Sequence, residues 1–422
     1  MNVRVGKRTG NSAAVRIPSS KSLSHRALIA ASLAPGVSVI RNLVYNNDTE
    51  ATMRALGCLG ARFKQTEDAL LVEGVPFPLH CSVPYVDCGE SGSTLRFLIP
   101  LFSLCGEEVT FTGQGRLMQR PQTVYEELFR SQGLRFEADG NTLKIQGPLA
   151  GTDYTVRGDI SSQFTSGLLF ALPLLAQDST IEILPPYESR SYVGLTEDVL
   201  ETAGIRLKDE NDRIRIHADS CYQPFEMEID GDDSQGAFFA ELALVSNQPV
   251  TVLGMRHDSR QGDHAIIPLF EQAGGTSAPI NGGFRFEPGS RRGIHADLSD
   301  CPDLGPALFA MAAAIEEESV FTGCGRLRIK ESDRIAAMQE ELNKLETAVE
   351  VDGDTVRICG RTQRKGDVIL DGHNDHRIVM ALAALAPSCQ KPVVIRGVEA
   401  VAKSYPDFFA DLARTGTEVE QL

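Results

Sequence analysis

Residues 161–174 read SSQFTSGLLFALPL: two hydroxyls and an amide, then a run of small and apolar residues without a charge. The opening suits a helix N-terminus, where a Ser side chain can accept from a first-turn N–H. The continuation is apolar on every side, which marks a helix buried all round. The same stretch recurs five more times. Its copies are SKSLSHRALIAASL (20–33), SGSTLRFLIPL (91–101), DDSQGAFFAELAL (232–244), DLGPALFAMAA (303–313) and NDHRIVMALAAL (374–385). Successive openings lie 71, 70, 71, 71 and 71 residues apart, so one unit copied six times fills the 422-residue chain. A fixed period of this kind signals one supersecondary unit repeated along the sequence.

A second helical pattern follows in each copy, as in Thr49–Phe63, Pro121–Phe136, Tyr192–Leu207, His264–Thr276, Glu331–Leu345 and Tyr405–Glu420. These segments carry charges on one face, which places them outside. Gly60, Gly133, Gly204 and Gly274 follow the last apolar turn of four of them, the usual C-terminal stop. Short runs such as SVIRNL, EVTFTG, STIEIL, PVTVLG, SVFTGC and PVVIRG lie between the two helices and read as strands. Buried helices surrounded by sheet invert the common α/β order, so the pattern predicts a helix-cored, inside-out α/β barrel. Asp232 and Asp303 are expected to cap their helices in the ordinary way.

The net charge of −16 excludes duplex DNA and an anionic membrane as partners. Yet Lys21, Arg26, Arg96, Arg120, Lys330, Arg334, Arg377 and Lys403 gather around the repeated helix starts. Positive charge focused in an acidic chain fits a small anion. Nine cysteines without a CxxC pair point to reduced thiols and a cytoplasmic protein. No signal peptide is expected from MNVRVGKRTG, and the longest apolar stretch is too short to span a bilayer.

Each helix start alone fits a plain cap with solvated charges; together they do not. One structural repeat needs one kind of cap six times, whereas these differ: Lys/Ser/Arg, Gly/Ser/Arg, Ser/Ser/Gln, Asp, Asp and Asp/His/Arg. Lys21 in a first turn opposes the helix dipole, a cost that an anion there would explain. Equivalent positions carrying diverged chemistry describe a site assembled from pseudo-symmetric parts.

The motifs PSSKSLSHRALIAA, GESGSTLR, RLMQRP, SSQFTSGLL, GDDSQGAFF, PDLGPALFAMAA, IKESDR, NDHRIVMAL and KSYPDFF stand in order between Pro18 and Phe409. In these the chain resembles the enolpyruvyl transferases. The resemblance implies two domains of three βαβαββ units each. One would span residues 20–229, on the shikimate 3-phosphate side. The other would hold residues 1–19 with 230–422, on the phosphoenolpyruvate side, the substrates lying in the cleft between them. It implies transfer of the enolpyruvyl group of phosphoenolpyruvate to the 5-hydroxyl of shikimate 3-phosphate by a monomer without cofactor or metal. Relatives that act on UDP-N-acetylglucosamine carry Lys-Asn where this chain has Lys21-Ser22, and a reactive Cys where it has Gly115. A non-catalytic sensor on the same fold would not need Asp303 and Glu331 together.

Carried over by position, Lys21, Ser22, Arg26, Ser161, Ser162, Gln163, Ser189, Tyr192, Asp303 and Lys330 would bind shikimate 3-phosphate. Lys21, Gly92, Arg120, Gln163, Arg334, Arg377 and Lys403 would hold phosphoenolpyruvate. Asp303 would take the proton of the 5-hydroxyl, Glu331 would serve the methylene carbon and Lys21 the leaving phosphate, with His376 and Asp232 as secondary candidates. Departures from the family pattern are Glu90, Gln235-Gly236 and Arg326. The retained Gly92 implies a glyphosate-sensitive site.

Overall fold

The structure is a computed structural model that describes residues 1–10, 13–218 and 220–422. It divides into two compact units, Ser19–Ile229 and Met1–Pro18 with Asp230–Leu422. Among the described residues there are twelve α-helices. The first unit holds α1 (Lys21–Leu33), α2 (Asn47–Cys58), α3 (Gly92–Ser103), α4 (Thr123–Ser131), α5 (Ser162–Ala171) and α6 (Arg190–Thr202). The second holds α7 (Asp233–Ser246), α8 (Ile266–Gln272), α9 (Gly305–Ala313), α10 (Arg334–Lys344), α11 (His376–Leu385) and α12 (Phe408–Arg414).

The odd-numbered helices are the apolar stretches of the repeat, and they are buried: every residue of α9 and α11 is inside, as is α5 apart from Gln163. Even-numbered helices bury one face only, as α4 does with Val124, Tyr125, Leu128 and Phe129. Gly60, Gly133, Gly204 and Gly274 all adopt positive φ.

Each repeat contributes a four-stranded sheet of constant topology. In the second, Tyr85–Asp87 runs parallel to Glu108–Thr112, which pairs antiparallel with Thr142–Gln146, itself antiparallel to Arg135–Ala138. The register sets Val109 opposite Ile145 and Phe111 opposite Leu143, all four buried, so the alternation in sequence becomes one apolar face. Three such faces and three buried helices make one continuous core in each unit.

Three sheets are completed from a distant part of the chain. In Ser19–Ile229, the last strand, Glu226–Glu228, lies parallel to Gly36–Arg41 and supplies the strand that the first repeat lacks. In the other unit, Asn2–Arg8 inserts between Val393–Arg396 and Thr417–Gln421, antiparallel to both. Val15–Arg16 pairs parallel with Val250–Leu253 and opens the fourth repeat. Both units are thereby closed by strands taken from the far end of their own sequence.

Close packing of the inner helices depends on small residues. A Cβ at Gly167 of α5 would lie 2.2 Å from the Tyr125 hydroxyl and 2.5 Å from the Arg96 carbonyl of α3. The Tyr125 hydroxyl donates to the carbonyls of Arg96 (2.7 Å) and Phe164 (3.0 Å), stitching α3 to α5. Gly167→Ala should therefore cost about 1–3 kcal/mol by overpacking, read as a lowered thermal midpoint of the full chain. An unchanged midpoint would show that α3 and α5 separate freely.

Candidate functional site

In Ser19–Ile229 the three buried helices start on serine caps. Ser20 accepts from Leu23 N–H (3.4 Å), Ser91 from Thr94 N–H (3.1 Å) and Ser161 from Gln163 N–H (3.3 Å). Side chains link these starts. Arg96 donates to Gln163 Oε1 (3.0 Å), and Gln163 Nε2 donates to Ser93 Oγ (3.0 Å), so the Gln163 amide is fixed at both ends. Arg96 also reaches the Pro121 carbonyl (2.9 Å) and lies over the Phe164 ring. Gly92 is where backbone makes room for a cation: a Cβ there would lie 2.6 Å from Arg120 Nη1.

Lys21, read as a charge in need of an anion, pairs with Asp48 in the first turn of α2 at 3.1 Å. Asp48 carried no signal in the sequence, because nothing local links residue 48 to residue 21. Arg26 is buried, and three of its N–H groups go to Thr196 Oγ1 and to the carbonyls of Ser22 and Tyr192, each at 2.7 Å. Burial lowers it to about 10. It braces α1 against α6, where Ser189 caps the helix in left-handed backbone (φ 53°) and Tyr192 follows. Ser162 is buried beside Ser161.

A buried chain of polar groups stands behind these. His25 Nδ1 lies 2.8 Å from Thr52 Oγ1, which lies 2.6 Å from Thr94 Oγ1, which donates to the Ser91 cap at 2.8 Å. Burial first, then Lys21 and Arg26, push His25 well below the usual imidazole value, so the ring is neutral.

The other unit gathers opposite charges. Asp303 Oδ1 meets Lys330 Nζ (3.1 Å) and Arg334 Nη1 (2.9 Å), and its Oδ2 meets Arg377 Nη2 (2.9 Å). Arg334 also bonds Glu331 (2.8 Å) and Asp375 (2.9 Å), so one buried guanidinium holds three carboxylates. Although burial disfavours its charge, Asp375, Glu331 and Asp303 hold Arg334 above its ordinary value. Burial alone would raise Asp375, but Arg334 keeps it below the usual carboxylate range. Lys330 behaves differently: burial, aided by Arg326 and Arg334 and opposed by Asp303, brings its ammonium down to about 8.

One expectation about caps fails here. Asp303 does not cap α9. It lies in a short 3-10 turn, Pro302–Leu304, the N-cap position falls to Leu304, and the carboxylate is spent on three cations. At the sixth start the cap is Asp375, accepting from Arg377 N–H at 2.9 Å, while Asn374 is left-handed with φ 52°. Asp232 does cap α7, through Ser234 N–H at 3.1 Å. Ser234 Oγ in turn bonds Asp232 and accepts from Arg377 at 3.0 Å. Lys403 donates to the Asn374 carbonyl at 2.7 Å. His376 lies buried in the first turn of α11, its Nδ1 3.8 Å from Asp375. Asp303, Lys330, Glu331, Arg334 and Arg377 thus form one bonded cluster, with Lys403 and His376 at its edge. Ser234 was not singled out in the sequence, and Asp375 was read as part of the sixth helix start, not as a partner of Arg334. Both lie within the motifs, but their partners are remote.

Glu340, Glu341 and His373 are close enough to hold a cation, but the Lys344 ammonium already bonds both acids (2.8 Å to Glu341, 3.2 Å to Glu340).

The family profile described as EPSP synthase (3-phosphoshikimate 1-carboxyvinyltransferase) matches residues 6–412. The chain belongs to the EPSP synthase family. The 3-phosphoshikimate 1-carboxyvinyltransferase of Clostridium kluyveri is 42% identical over 96% of both chains, and that of Clostridioides difficile is 35% identical over 96% of both. A solved EPSP synthase from Acinetobacter baumannii superposes with a TM-score of 0.80 over the whole of both chains at 25% identity. The fold is the two-domain inside-out α/β barrel of EPSP synthases.

Gly115 fits that family for a physical reason. It has φ +59°, and a Cβ would lie 2.5 Å from Glu90 Oε2, so a Cys at this position would be strained. The Gln235-Gly236 departure has a packing correlate, since a Cβ at 236 would lie 2.6 Å from Met255 Sδ.

The charge cluster makes a stability prediction. Arg334→Met leaves Asp303, Glu331 and Asp375 facing one another, at a cost of about 3–5 kcal/mol for a broken buried pair. Differential scanning calorimetry of the full chain at neutral pH should show the loss; a parental midpoint would mean that other groups hold these acids.

Proposed function

We propose that this chain joins phosphoenolpyruvate to the 5-hydroxyl of shikimate 3-phosphate, giving 5-enolpyruvylshikimate 3-phosphate and phosphate on the route to chorismate and the aromatic amino acids. The observation that carries this reading is a family match over residues 6–412 that includes the bonded Asp303–Lys330–Arg334–Arg377 cluster. The chain is read as a cytoplasmic monomer. Its free cysteines support that compartment, and no helix among the described residues is long and apolar enough to cross a membrane.

In this reading Ser19–Ile229 takes shikimate 3-phosphate. Ser161, Ser162 and the fixed amide of Gln163 offer donors at a helix start, where the helix dipole favours the 3-phosphate. Lys21 and Ser22 extend the donor set. Ser189 and Tyr192 flank it on α6, with Arg26 setting the α6 start from behind. Lys21, Gly92, Arg120 and Gln163 in this unit are read as phosphoenolpyruvate ligands, and so are Arg334, Arg377 and Lys403. An Arg fork binds both oxygens of a carboxylate, which a point charge does not.

Chemistry proceeds by addition and elimination. The 5-oxygen bonds to C2 of the enol, its proton passes to Asp303, and C3 gains a proton from Glu331. The tetrahedral adduct then loses a C3 proton to Glu331 as the C2–O bond to phosphate breaks; Lys21 neutralises the leaving group, and the released phosphate takes up the proton left on Asp303, so that both acids return to their starting states. Asp303 is oriented by three cations. Lys330, lowered to about 8, can share its proton near neutrality. His376 and Asp232 are secondary participants: Asp232 acts through Ser234 on Arg377.

Phosphate release from phosphoenolpyruvate should require shikimate 3-phosphate as acceptor, and UDP-N-acetylglucosamine should not replace it. Glu331→Gln should keep both binding constants near parental values and lower kcat by about 10²–10⁴, the range for a lost acid–base group. Release with the UDP-sugar alone would overturn the substrate assignment, and an unchanged kcat would remove Glu331 from the proton path.

The Lys330 ammonium fixes a pH limb. Its folded value lies below the ordinary one, so the charge is present below about 8 and lost above it. The logarithm of kcat/KM should bend downward near that value, since this ratio reports free-enzyme ionisations. Lys330→Arg should move the bend to higher pH, and a bend that stays in place would assign it to another group.

A further inference from the structure

The turn leading into α11 holds two successive non-glycine residues in left-handed backbone, His373 (φ 49°) and Asn374 (φ 52°). Such conformations persist only where the surroundings hold them. Here the restraints are explicit. The His373 N–H donates to Asp371 Oδ1 (2.7 Å), and the Asp375 N–H donates to the Gly372 carbonyl (2.8 Å). The Asn374 carbonyl accepts from Lys403 (2.7 Å), and the His373 ring meets Glu341 through Nε2 at 2.8 Å.

Glu341 is an unusual anchor. Its side chain is fully buried in α10, and the hydrogen bonds it makes are all accepted from donors: His373, Lys344 at 2.8 and 2.9 Å, and the Asp371 N–H at 3.0 Å. Burial would raise its carboxyl, but these donors hold it below the usual range, so it is ionised and His373 Nε2 carries the proton between them. Glu341 lies two helical turns along α10 from Arg334. The turn is therefore clamped to α10 at two points, Asp375 to Arg334 within the charge cluster and His373 to Glu341 behind it.

We propose that His373 is a positioning residue: by donating from its ring to Glu341 it holds the left-handed turn that presents the Asn374 carbonyl to Lys403 and Asp375 to Arg334. Lys403 and Arg334 are thereby set at the spacing that phosphoenolpyruvate requires, which rests on the reading that these two cations bind it. The groups facing His373 are Glu341, Glu340, Lys344 and Asp371. Chiefly through its bond to Glu341, against the opposing effect of burial, the ring is raised above the ordinary imidazole value. It is charged below that raised value and loses its charge, though not its Nε2–H, as the pH rises through it.

The test compares His373→Ala with His373→Gln, whose side-chain amide can restore an N–H to Glu341 without the charge. His373→Ala should raise KM for phosphoenolpyruvate by roughly tenfold, the scale of a slightly misplaced binding group. KM for shikimate 3-phosphate should stay at its parental value, and kcat should change far less than KM. His373→Gln should recover most of the loss. Hydrogen exchange on the full chain reads the clamp apart from turnover. The Asp375 and Arg377 amides should lose protection in His373→Ala and keep it in His373→Gln. Unchanged protection in His373→Ala, or equal loss in both variants, would overturn the proposal. Lost protection with an unchanged KM would also overturn it, as a clamp with no bearing on binding. If the parental chain shows no phosphate release while the exchange pattern holds, the functional reading has failed and the clamp has not.

Discussion

A helix buried on every side must still satisfy the N–H groups of its first turn and the carbonyls of its last, and six helices in this chain face that demand. Their starts are served by Ser20, Ser91, Ser161, Asp232 and Asp375, and for α9 by a 3-10 turn that leads into the helix. Three of their ends are served by side chains remote in sequence. The Tyr222 hydroxyl donates to the Phe170 carbonyl of α5, and Arg291 reaches the carbonyls of Leu244, Val245 and Ala314. Polar side chains are therefore obligatory at the poles of an otherwise apolar core. Once they are obligatory at one pole, exchanging a cap for a group with chemistry is a small step.

That origin explains why the charges are so tightly paired. Arg377 lies in the first turn of the fully buried α11 and Arg334 at the buried start of α10, and a buried guanidinium without carboxylates would cost more than the fold can bear. Asp303, Glu331 and Asp375 answer that cost. The same pairing fixes Asp303 in place, and it leaves Lys330, whose charge burial disfavours, with a carboxylate shared with two arginines. Stability and reactivity here are set by one arrangement of charge.

The repeat, the buried helices, the strands between helix pairs and the glycine stops were legible because each rests on local periodicity and local backbone preference. So were most members of the charge cluster, since they stand at equivalent positions of the repeat. What escaped depended on contacts between distant residues. Asp48 meets Lys21 only because α2 folds back on α1. Asp303 resembles a cap in sequence and is diverted from that role by cations 27, 31 and 74 residues away. Arg26 and Arg96, counted with the other cations, bond chiefly to protein acceptors, so they brace the groups around them. Strand Asn2–Arg8 pairs with segments almost a chain length away, and no window of sequence shows that.

The two units, built from one repeat, differ in the charge of their caps. Ser19–Ile229 starts its inner helices with neutral hydroxyls, which add no negative charge at the dipoles' positive ends and can turn to donate. A phosphate approaching such a pole meets donors and cations, with Asp48 set back on Lys21. The other unit uses the carboxylates of Asp232 and Asp375 at the same points and adds Asp303 and Glu331. A phosphate would be repelled there but for the arginines, whereas a hydroxyl or a carbon that must exchange a proton finds acids held at fixed bonds to Arg334. Under the proposed function, cap chemistry supports a division into phosphate recognition on the serine-capped unit and proton transfer on the aspartate-capped one. It gives a physical reason for diverging six equivalent helix starts instead of repeating one.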